Sequence, residues 1–193
     1  MTAFIALDWG TTSFRAYRVG GNGEVLQTVS AAEGILHVTD GNFAAALERH
    51  IGAWDKSLPV MAAGMITSRQ GWIELPYLPC PASVADLAGA LHHVTTASGR
   101  RIAFSTGLSY RAPDGMPDVM RSEEVQVFGS LHLGSNHFIA PGTHSKWITT
   151  RGGEIRHYAT YMTGEVFAAL TEHTILGRLM KPGPDDDEAF AKG

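Results

Sequence analysis

Asp8-Trp9-Gly10-Thr11-Thr12-Ser13 stands where a short apolar run, Ala3–Asp8 (AFIALD), ends in an acid and passes into Phe14–Val19 (FRAYRV). The second run alternates apolar with basic residues, the period of a half-buried strand, so the quoted stretch is a turn between strands. Gly20-Gly21-Asn22-Gly23 follows, and its Asn-Gly pair is a strong hairpin signal because a type I′ turn needs two residues at positive φ. Glu24–Ser30 (EVLQTVS) alternates again and pairs back, giving three antiparallel strands. Glycine in such a turn lets backbone N–H groups approach phosphate oxygens, and Thr and Ser add neutral donors. The acid cannot bind phosphate, but it can hold Mg2+ through water. The same spacing also suits a plain hairpin turn closed by an Asx-type bond from Asp8. Neither G-x-x-x-x-G-K-[ST] nor a G-x-G-x-x-G after the first strand is present, so this is no P-loop.

Working outward, the period changes. Asp40-Gly41-Asn42 offers caps, and Phe43, Leu47, His50, Ile51 and Trp54 recur at helical spacing. Pro59–Ala63 reads as a buried fourth strand, Ser83 caps a helix running to Leu91, and Arg101–Ser105 is a fifth strand. His92-His93 closes that second helix, at the end where the dipole favours histidine. Ser122–Leu133 reads as a third helix. The order β-β-β-α-β-α-β implies an α/β unit with a mixed five-stranded sheet flanked by helices. A second meander follows: Phe138-Ile139-Ala140, then Lys146–Thr150, a Gly152-Gly153 turn and Glu154–Tyr161. A helix from Thr163 carries Val166, Phe167, Leu170, Ile175 and Leu179 on one face. The tail from Lys181 reads as a solvated linker.

Phe4-Ile5-Ala6 running into Gly10-Thr11-Thr12-Ser13 is echoed by Phe138-Ile139-Ala140 running into Gly142-Thr143-His144-Ser145. This weak repeat divides the chain into residues 1–134, a complete first lobe, and 135–193, the start of a second. Three strands and one helix make too small a core to stand alone, so the natural chain is expected to continue.

The 193 residues are 44% hydrophobic and 18% charged, an ordinary globular composition. Fifteen Lys+Arg against nineteen Asp+Glu give a net charge of −4, which offers no footprint for nucleic acid. No run approaches the ~18 apolar residues of a membrane span. Asp8 and the lack of an early basic cluster argue against a signal peptide. The single cysteine, Cys80, excludes an internal disulfide and fits a cytoplasmic location.

The turn D-W-G-T-T-S-F-R-A-Y resembles the first phosphate motif of the sugar kinase, Hsp70 and actin superfamily. Further stretches narrow the likeness: Gly64-Met65-Ile66-Thr67-Ser68-Arg69-Gln70-Gly71-Trp72, then Leu75-Pro76-Tyr77 with Pro79 and Pro81. Next come Pro117-Asp118-Val119-Met120-Arg121-Ser122-Glu123-Glu124, Pro141-Gly142-Thr143-His144-Ser145-Lys146-Trp147 and Met162-Thr163-Gly164-Glu165. In this order and over essentially the whole chain, they resemble the 2-dehydro-3-deoxygalactonokinase family. One departure is visible, Ser122, where the family usually has Gly.

The resemblance implies a ribonuclease H-like first lobe, the beginning of a similar second lobe, and Mg-ATP in the cleft between them. It implies transfer of the γ-phosphoryl of ATP to the 6-hydroxyl of 2-dehydro-3-deoxy-D-galactonate, in the De Ley–Doudoroff route of galactonate breakdown. The superfamily's adenine-binding motif would lie beyond residue 193. Asp8 would order Mg2+ and its waters. Gly10, Thr11, Thr12 and Ser13 would face the phosphates from one side, and Gly142, Thr143, His144 and Ser145 from the other. Lys146 would add a point charge, unless, as a strand lysine, it simply faces solvent.

A keto-acid carboxylate is best gripped by a guanidinium fork. Arg69 is the candidate, with Ser68 and Gln70 as hydroxyl partners and Trp72 as an apolar wall; the competing reading of this stretch is a polar surface loop. The general base should be an acid near the cleft floor. Asp118, in the loop before the third helix, is the first candidate and Glu123 the second, with Arg121 positioning either acid or gripping substrate. Both acids also suit plain helix-start roles, as cap or dipole partner. The partner is a small sugar acid, with neither nucleic acid nor membrane; a homodimer is compatible with the sequence. A non-catalytic nucleotide-binding scaffold of the actin or Hsp70 kind is the main rival, followed by an inactive kinase fragment. A two-metal nuclease is disfavoured because strands two and four supply no clustered carboxylates.

Overall fold

A computed structural model describes residues 3–180 together with Gly183, Glu188 and Ala191. Apart from those three residues, the tail expected as a linker from Lys181 lies outside the described residues, as does the side chain of Leu179. The chain opens with β1 (Phe4–Trp9), β2 (Phe14–Val19) and β3 (Val25–Ala31), then α1 (Phe43–Ile51) and β4 (Val60–Ala63). Short β5 (Leu78–Pro79) and β6 (Ala82–Ser83) precede α2 (Val84–Gly89), β7 (His92–Thr95), β8 (Arg101–Phe104), β9 (Leu108–Arg111) and β10 (Pro117–Met120). The remainder is α3 (Glu123–Ser130), β11 (His137–Ala140), β12 (Ser145–Arg151), β13 (Glu154–Tyr161) and α4 (Thr163–His173).

The alternation in the first thirty residues does produce an antiparallel meander, β1 on β2 and β2 on β3. β4 then lies parallel to β1, and β8 parallel to β4. The resulting mixed sheet has six strands in the order β3-β2-β1-β4-β8-β7, where five were expected. The additional strand is His92–Thr95, which the sequence reading had ended as a helix. The second helix stops at Gly89, and Val94, Thr95 and Thr96 prefer a pleated backbone. A tight turn then reverses the chain: Gly99 N donates to Thr96 O at 2.9 Å, with Gly99 at φ +85°. His92–Thr95 therefore pairs antiparallel with β8.

One face of this sheet carries the larger core. Ile5, Leu7, Trp9, Phe14 and Ala16 meet Phe43, Ala46, Leu47 and Ile51 of α1, whose helical spacing was legible in the sequence. Asn42 caps α1 by accepting Ala45 N at 3.2 Å, and Ser83 with Asp86 forms a capping box on α2. Each cap contributes about 1 kcal/mol.

The second meander forms as expected, β11-β12-β13, but β6 from the first half joins it as a fourth strand along β13. β10, β9 and β5 make a third, small sheet. A second core gathers where these two sheets meet, from Leu108, Met120, Val127, Ile148, Ile155 and Tyr158. Asp118 accordingly sits in strand β10, not in a loop before a helix. None of the residues of α4 is buried, and Phe167 is 63% exposed. No helix among the described residues is long and apolar enough to cross a membrane.

Candidate active site

Asp8 is the penultimate residue of β1, and the Gly10–Ser13 turn follows it. Gly10 N donates to Ser13 O at 2.8 Å and closes the turn. The turn is braced from behind by residues 33–36. Ile35 N donates to Gly10 O at 3.0 Å, Leu36 N to Thr11 O at 3.3 Å, and Trp9 Nε1 to Glu33 O at 3.0 Å. With the Gly10 and Thr11 carbonyls engaged, Thr11 and Thr12 keep backbone N–H groups that make no hydrogen bond among the described residues. Exposed and fixed donors of this kind suit an anion.

Gly64 opens the Gly64–Trp72 stretch at φ +104°, and a Cβ there would lie 2.7 Å from Trp9 O and 3.2 Å from Asp8 Oδ1. Conformation and space both demand glycine beside the acid. Asp8 Oδ1 accepts Ser122 Oγ at 3.2 Å, and Oδ2 lies 3.4 Å from Arg15 Nη1. The Asp8 carboxylate stays partly exposed. No group of three or more metal-ligating side chains occurs among the described residues. One carboxylate with open coordination space still fits Mg2+, which keeps several waters and takes phosphate oxygens as ligands.

The second Gly-Thr turn is built in the same manner. Gly142 N donates to Ser145 Oγ at 3.3 Å, and Ser145 Oγ meets Thr163 Oγ1 at 2.5 Å. Glu165 N donates to Thr143 O at 3.1 Å, and His144 Nε2 pairs with Glu165. A Cβ on Gly164 would lie 2.8 Å from Gly142 O, so the start of α4 can seat against the turn only through glycine. Thr143 and His144 keep N–H groups without a hydrogen bond among the described residues. No hydrogen bond or ion pair links the two turns to each other among these residues.

An open groove of about 760 Å³ runs from Asp8, Arg15, Ser105 and Ser122 along the sheet face opposite the larger core. It passes Phe4, Tyr17 and Met61 between the side chains of α2 and α3. The turn at Gly142–Ser145, Arg69, Asp118 and Glu123 are not part of its lining.

The remaining expected residues fall into two groups. The Arg69 side chain is 86% exposed, and among the described residues it meets only Glu74, at 3.4 Å, which leaves it able to grip a ligand. Gln70 is likewise exposed, while Ser68 Oγ donates to Met65 O at 2.7 Å. Others are engaged internally. Trp72 stacks on Phe43 at 6.1 Å and meets Phe104 edge-on at 5.5 Å, so its ring belongs to the core. Arg121 is spent on the Gly64–Tyr77 segment: Nη1 donates to Thr67 O and Oγ1, both at 2.6 Å, Nη2 to Leu75 O at 3.2 Å, and the guanidinium lies over the Tyr77 ring. Lys146 is buried, and Nζ donates to Val119 O at 2.7 Å and Thr160 Oγ1 at 2.6 Å, with Asp118 Oδ1 at 3.7 Å. Asp118 accepts Thr160 N on Oδ2 and Thr160 Oγ1 on Oδ1. Glu123 Oε2 accepts Arg121 N at 2.9 Å, and Oε1 makes no hydrogen bond among the described residues.

The model of the 2-keto-3-deoxy-galactonokinase family matches residues 8–193. The chain belongs to this family. A Rhizobium meliloti protein named as a probable 2-dehydro-3-deoxygalactonokinase is 37% identical over 195 residues, covering 98% of this chain and 62% of the relative. The Escherichia coli 2-dehydro-3-deoxygalactonokinase is 34% identical over 196 residues, 100% of this chain and 65% of its own length. A crystal structure from Sinorhizobium meliloti, provisionally assigned as a 2-dehydro-3-deoxygalactonokinase, superposes with a TM-score of 0.81 at 38% identity. It covers 91% of this chain and 59% of that one. The chain thus spans about three fifths of the length of these members of the galactonokinase family.

Within this family member, sequence reading passed over Glu124. It is 1% exposed, and its two oxygens accept Ser122 N at 3.0 and 2.9 Å. Burial pushes its carboxyl up to about 8. The folded state therefore holds a proton that the unfolded chain has released above about 4.5. The Glu124 contribution to stability is complete below that value and falls as pH rises from about 4.5 to about 8, by at most about 1.4 kcal/mol per pH unit. Glu124→Gln, which keeps a carbonyl acceptor for Ser122 N, is expected to flatten this slope. Urea unfolding midpoints between pH 5 and 8 measure it, and an unchanged slope in the variant would remove Glu124 as the cause.

Proposed function

We propose that the chain supplies the phosphate and sugar-acid sites of an ATP-dependent kinase that phosphorylates the 6-hydroxyl of 2-dehydro-3-deoxy-D-galactonate. The observation that carries the proposal is the acid-led turn: Asp8 beside two exposed backbone N–H groups, echoed by the like turn at Gly142–Ser145. In this reading residues 1–134 form a ribonuclease H-like lobe and residues 135–193 begin a second one.

Bound Mg2+ would supply charge neutralisation on the phosphates, with Asp8 ordering its waters. The Thr11, Thr12, Thr143 and His144 N–H groups hold phosphate oxygens, joined by the side chains of Ser13 and Ser145. Arg69 grips the substrate carboxylate, with Ser68 and Gln70 at its hydroxyls. Glu123 takes the hydroxyl proton as the new bond from O6 to the γ-phosphorus forms and the bond to the leaving ADP oxygen breaks. Its free Oε1 supports Glu123 over Asp118, whose two oxygens are both occupied by Thr160. The setting is galactonate breakdown in the cytoplasm.

A coupled ADP-release assay tests the proposal with 2-dehydro-3-deoxygalactonate, its gluconate epimer and simple hexoses. It is run on residues 1–193 and on a chain of the relatives' length. Turnover is expected with the galactonate-derived acid, and Glu123→Gln should lower kcat by about 10²–10⁴. ATP binding without turnover of any sugar acid would favour the nucleotide-binding scaffold instead.

A further inference from the structure

Ser122 occupies a backbone conformation that side chains avoid. Its φ is +101° and ψ −35°, just ahead of α3. A residue other than glycine persists there only when its surroundings over-determine it. The neighbours do so on every side. Asp118 is bonded to Thr160, Val119 O to Lys146, and the Arg121 guanidinium to Thr67 and Leu75. Both oxygens of Glu124 take the Ser122 N–H. Thus β10 and the start of α3 are clamped from both ends, and Ser122 is fixed between the clamps.

The strained pose has one visible product. Ser122 Oγ reaches across 114 positions of sequence and donates to Asp8 Oδ1 at 3.2 Å. The other side-chain partner of Asp8 among the described residues is Arg15 at 3.4 Å, whose side chain is half exposed and loosely held.

We propose that Ser122 is a positioning residue for the Asp8 carboxylate: Glu124 holds its backbone so that Oγ fixes Oδ1 and leaves Oδ2, beside Arg15, as the oxygen that would order Mg2+ and its waters. The proposal rests on the reading of Asp8 as the metal-ordering acid. It adds a second consequence. Val119 and Asp118 are tied to Lys146 and Thr160 of β12 and β13, and Lys146 directly follows the second Gly-Thr turn. The segment from Asp118 to Ser122 is therefore a strut between the two turns, so that the second meander sets the pose of the acid in the first.

The test uses Ser122→Ala and Ser122→Gly in the full chain, with Mn2+ and inorganic pyrophosphate as the probe, followed by electron paramagnetic resonance. Both variants lose the hydroxyl, so both should bind Mn2+ about 3- to 10-fold more weakly, the worth of one hydrogen bond. Their stabilities should differ. Glycine relieves the positive φ and should raise Tm by about 2–4 °C, whereas alanine should not. Were the role only structural, affinity would follow Tm, and glycine would bind as well as serine; that result overturns the proposal. Asp8→Asn separates the two layers. If it leaves Mn2+ affinity intact, the metal reading of Asp8 fails and this inference with it. If it weakens binding while both Ser122 variants bind normally, this inference alone fails.

Discussion

Gly34→Ala should lower affinity for Mg-ATP by at least about tenfold and cost about 1–3 kcal/mol of stability. Gly34 has φ −70° and ψ −177°, a backbone open to any residue, so conformation is not the reason. Space is. An added Cβ would lie 2.3 Å from the carbonyl carbon and oxygen of Thr11 and from the nitrogen of Thr12. These are backbone atoms of the first Gly-Thr turn, and no rotamer change can move them aside. Either the 33–36 segment withdraws, losing the bonds from Ile35 N and Leu36 N, or the turn shifts and carries the Thr11 and Thr12 N–H groups with it. Both routes degrade the proposed phosphate seat. Gly89→Ala is the matched control: its Cβ would meet nothing within 4 Å, and the residue is helical. That substitution should be neutral or stabilising by up to about 1 kcal/mol. Isothermal titration with Mg-ATP and urea unfolding supply both readings. A Gly34→Ala protein that binds normally would show that the turn is not where the phosphates sit.

Gly34 shows which parts of the molecule a single sequence makes legible. The strands and α1 were readable from local pattern: AFIALD is a short apolar run closed by an acid, FRAYRV alternates, and Phe43, Leu47 and Ile51 recur at helical spacing. The two Gly-Thr turns were readable because glycine and hydroxyls cluster there. A long-range constraint leaves no such trace. Nothing local in Glu33-Gly34-Ile35 says that the glycine lies against residues 11 and 12. Likewise β9 and β10 are four residues each, and their pairing depends on a partner strand rather than on a pattern within Leu108–Arg111 or Pro117–Met120. Asp118, Arg121 and Lys146 were singled out by chemistry. Their hydrogen bonds to Thr160, Thr67, Leu75 and Val119 cross 14 to 54 positions of sequence, and only the fold reveals that these charges hold segments together.

Arg100 is the extreme case of that kind, and its replacement should bring the largest loss of stability. Its side chain is fully buried, yet nothing in Ser98-Gly99-Arg100-Arg101 distinguishes it from a surface arginine. Nε and Nη2 donate to the two oxygens of Glu48 at 3.1 and 3.3 Å. Nη2 also reaches Ile51 O at 3.2 Å and Trp54 O at 3.4 Å, so the guanidinium satisfies carbonyls at the C-terminal end of α1. Ser98 Oγ adds a bond to Glu48 Oε1 at 2.8 Å. The cluster thereby fastens the β7–β8 hairpin to α1.

Arg100→Ala takes the buried guanidinium from the Glu48 carboxylate, which keeps only Ser98 as a donor among the described residues, and leaves Trp54 O without a donor among them; it should cost about 3–5 kcal/mol. Arg100→Met combined with Glu48→Met removes both charges and keeps apolar volume, and should cost much less than the single arginine deletion. The Arg100 hydrogen bond also holds the Glu48 carboxyl below its ordinary value. Its contribution is therefore present above about 4.5 and is lost as pH falls through the folded value, opposite in sense to that of Glu124. Urea unfolding of the single and double variants at pH 7 and pH 4 measures both effects. A double variant as unstable as Arg100→Ala would mean that lost packing, not a stranded charge, dominates.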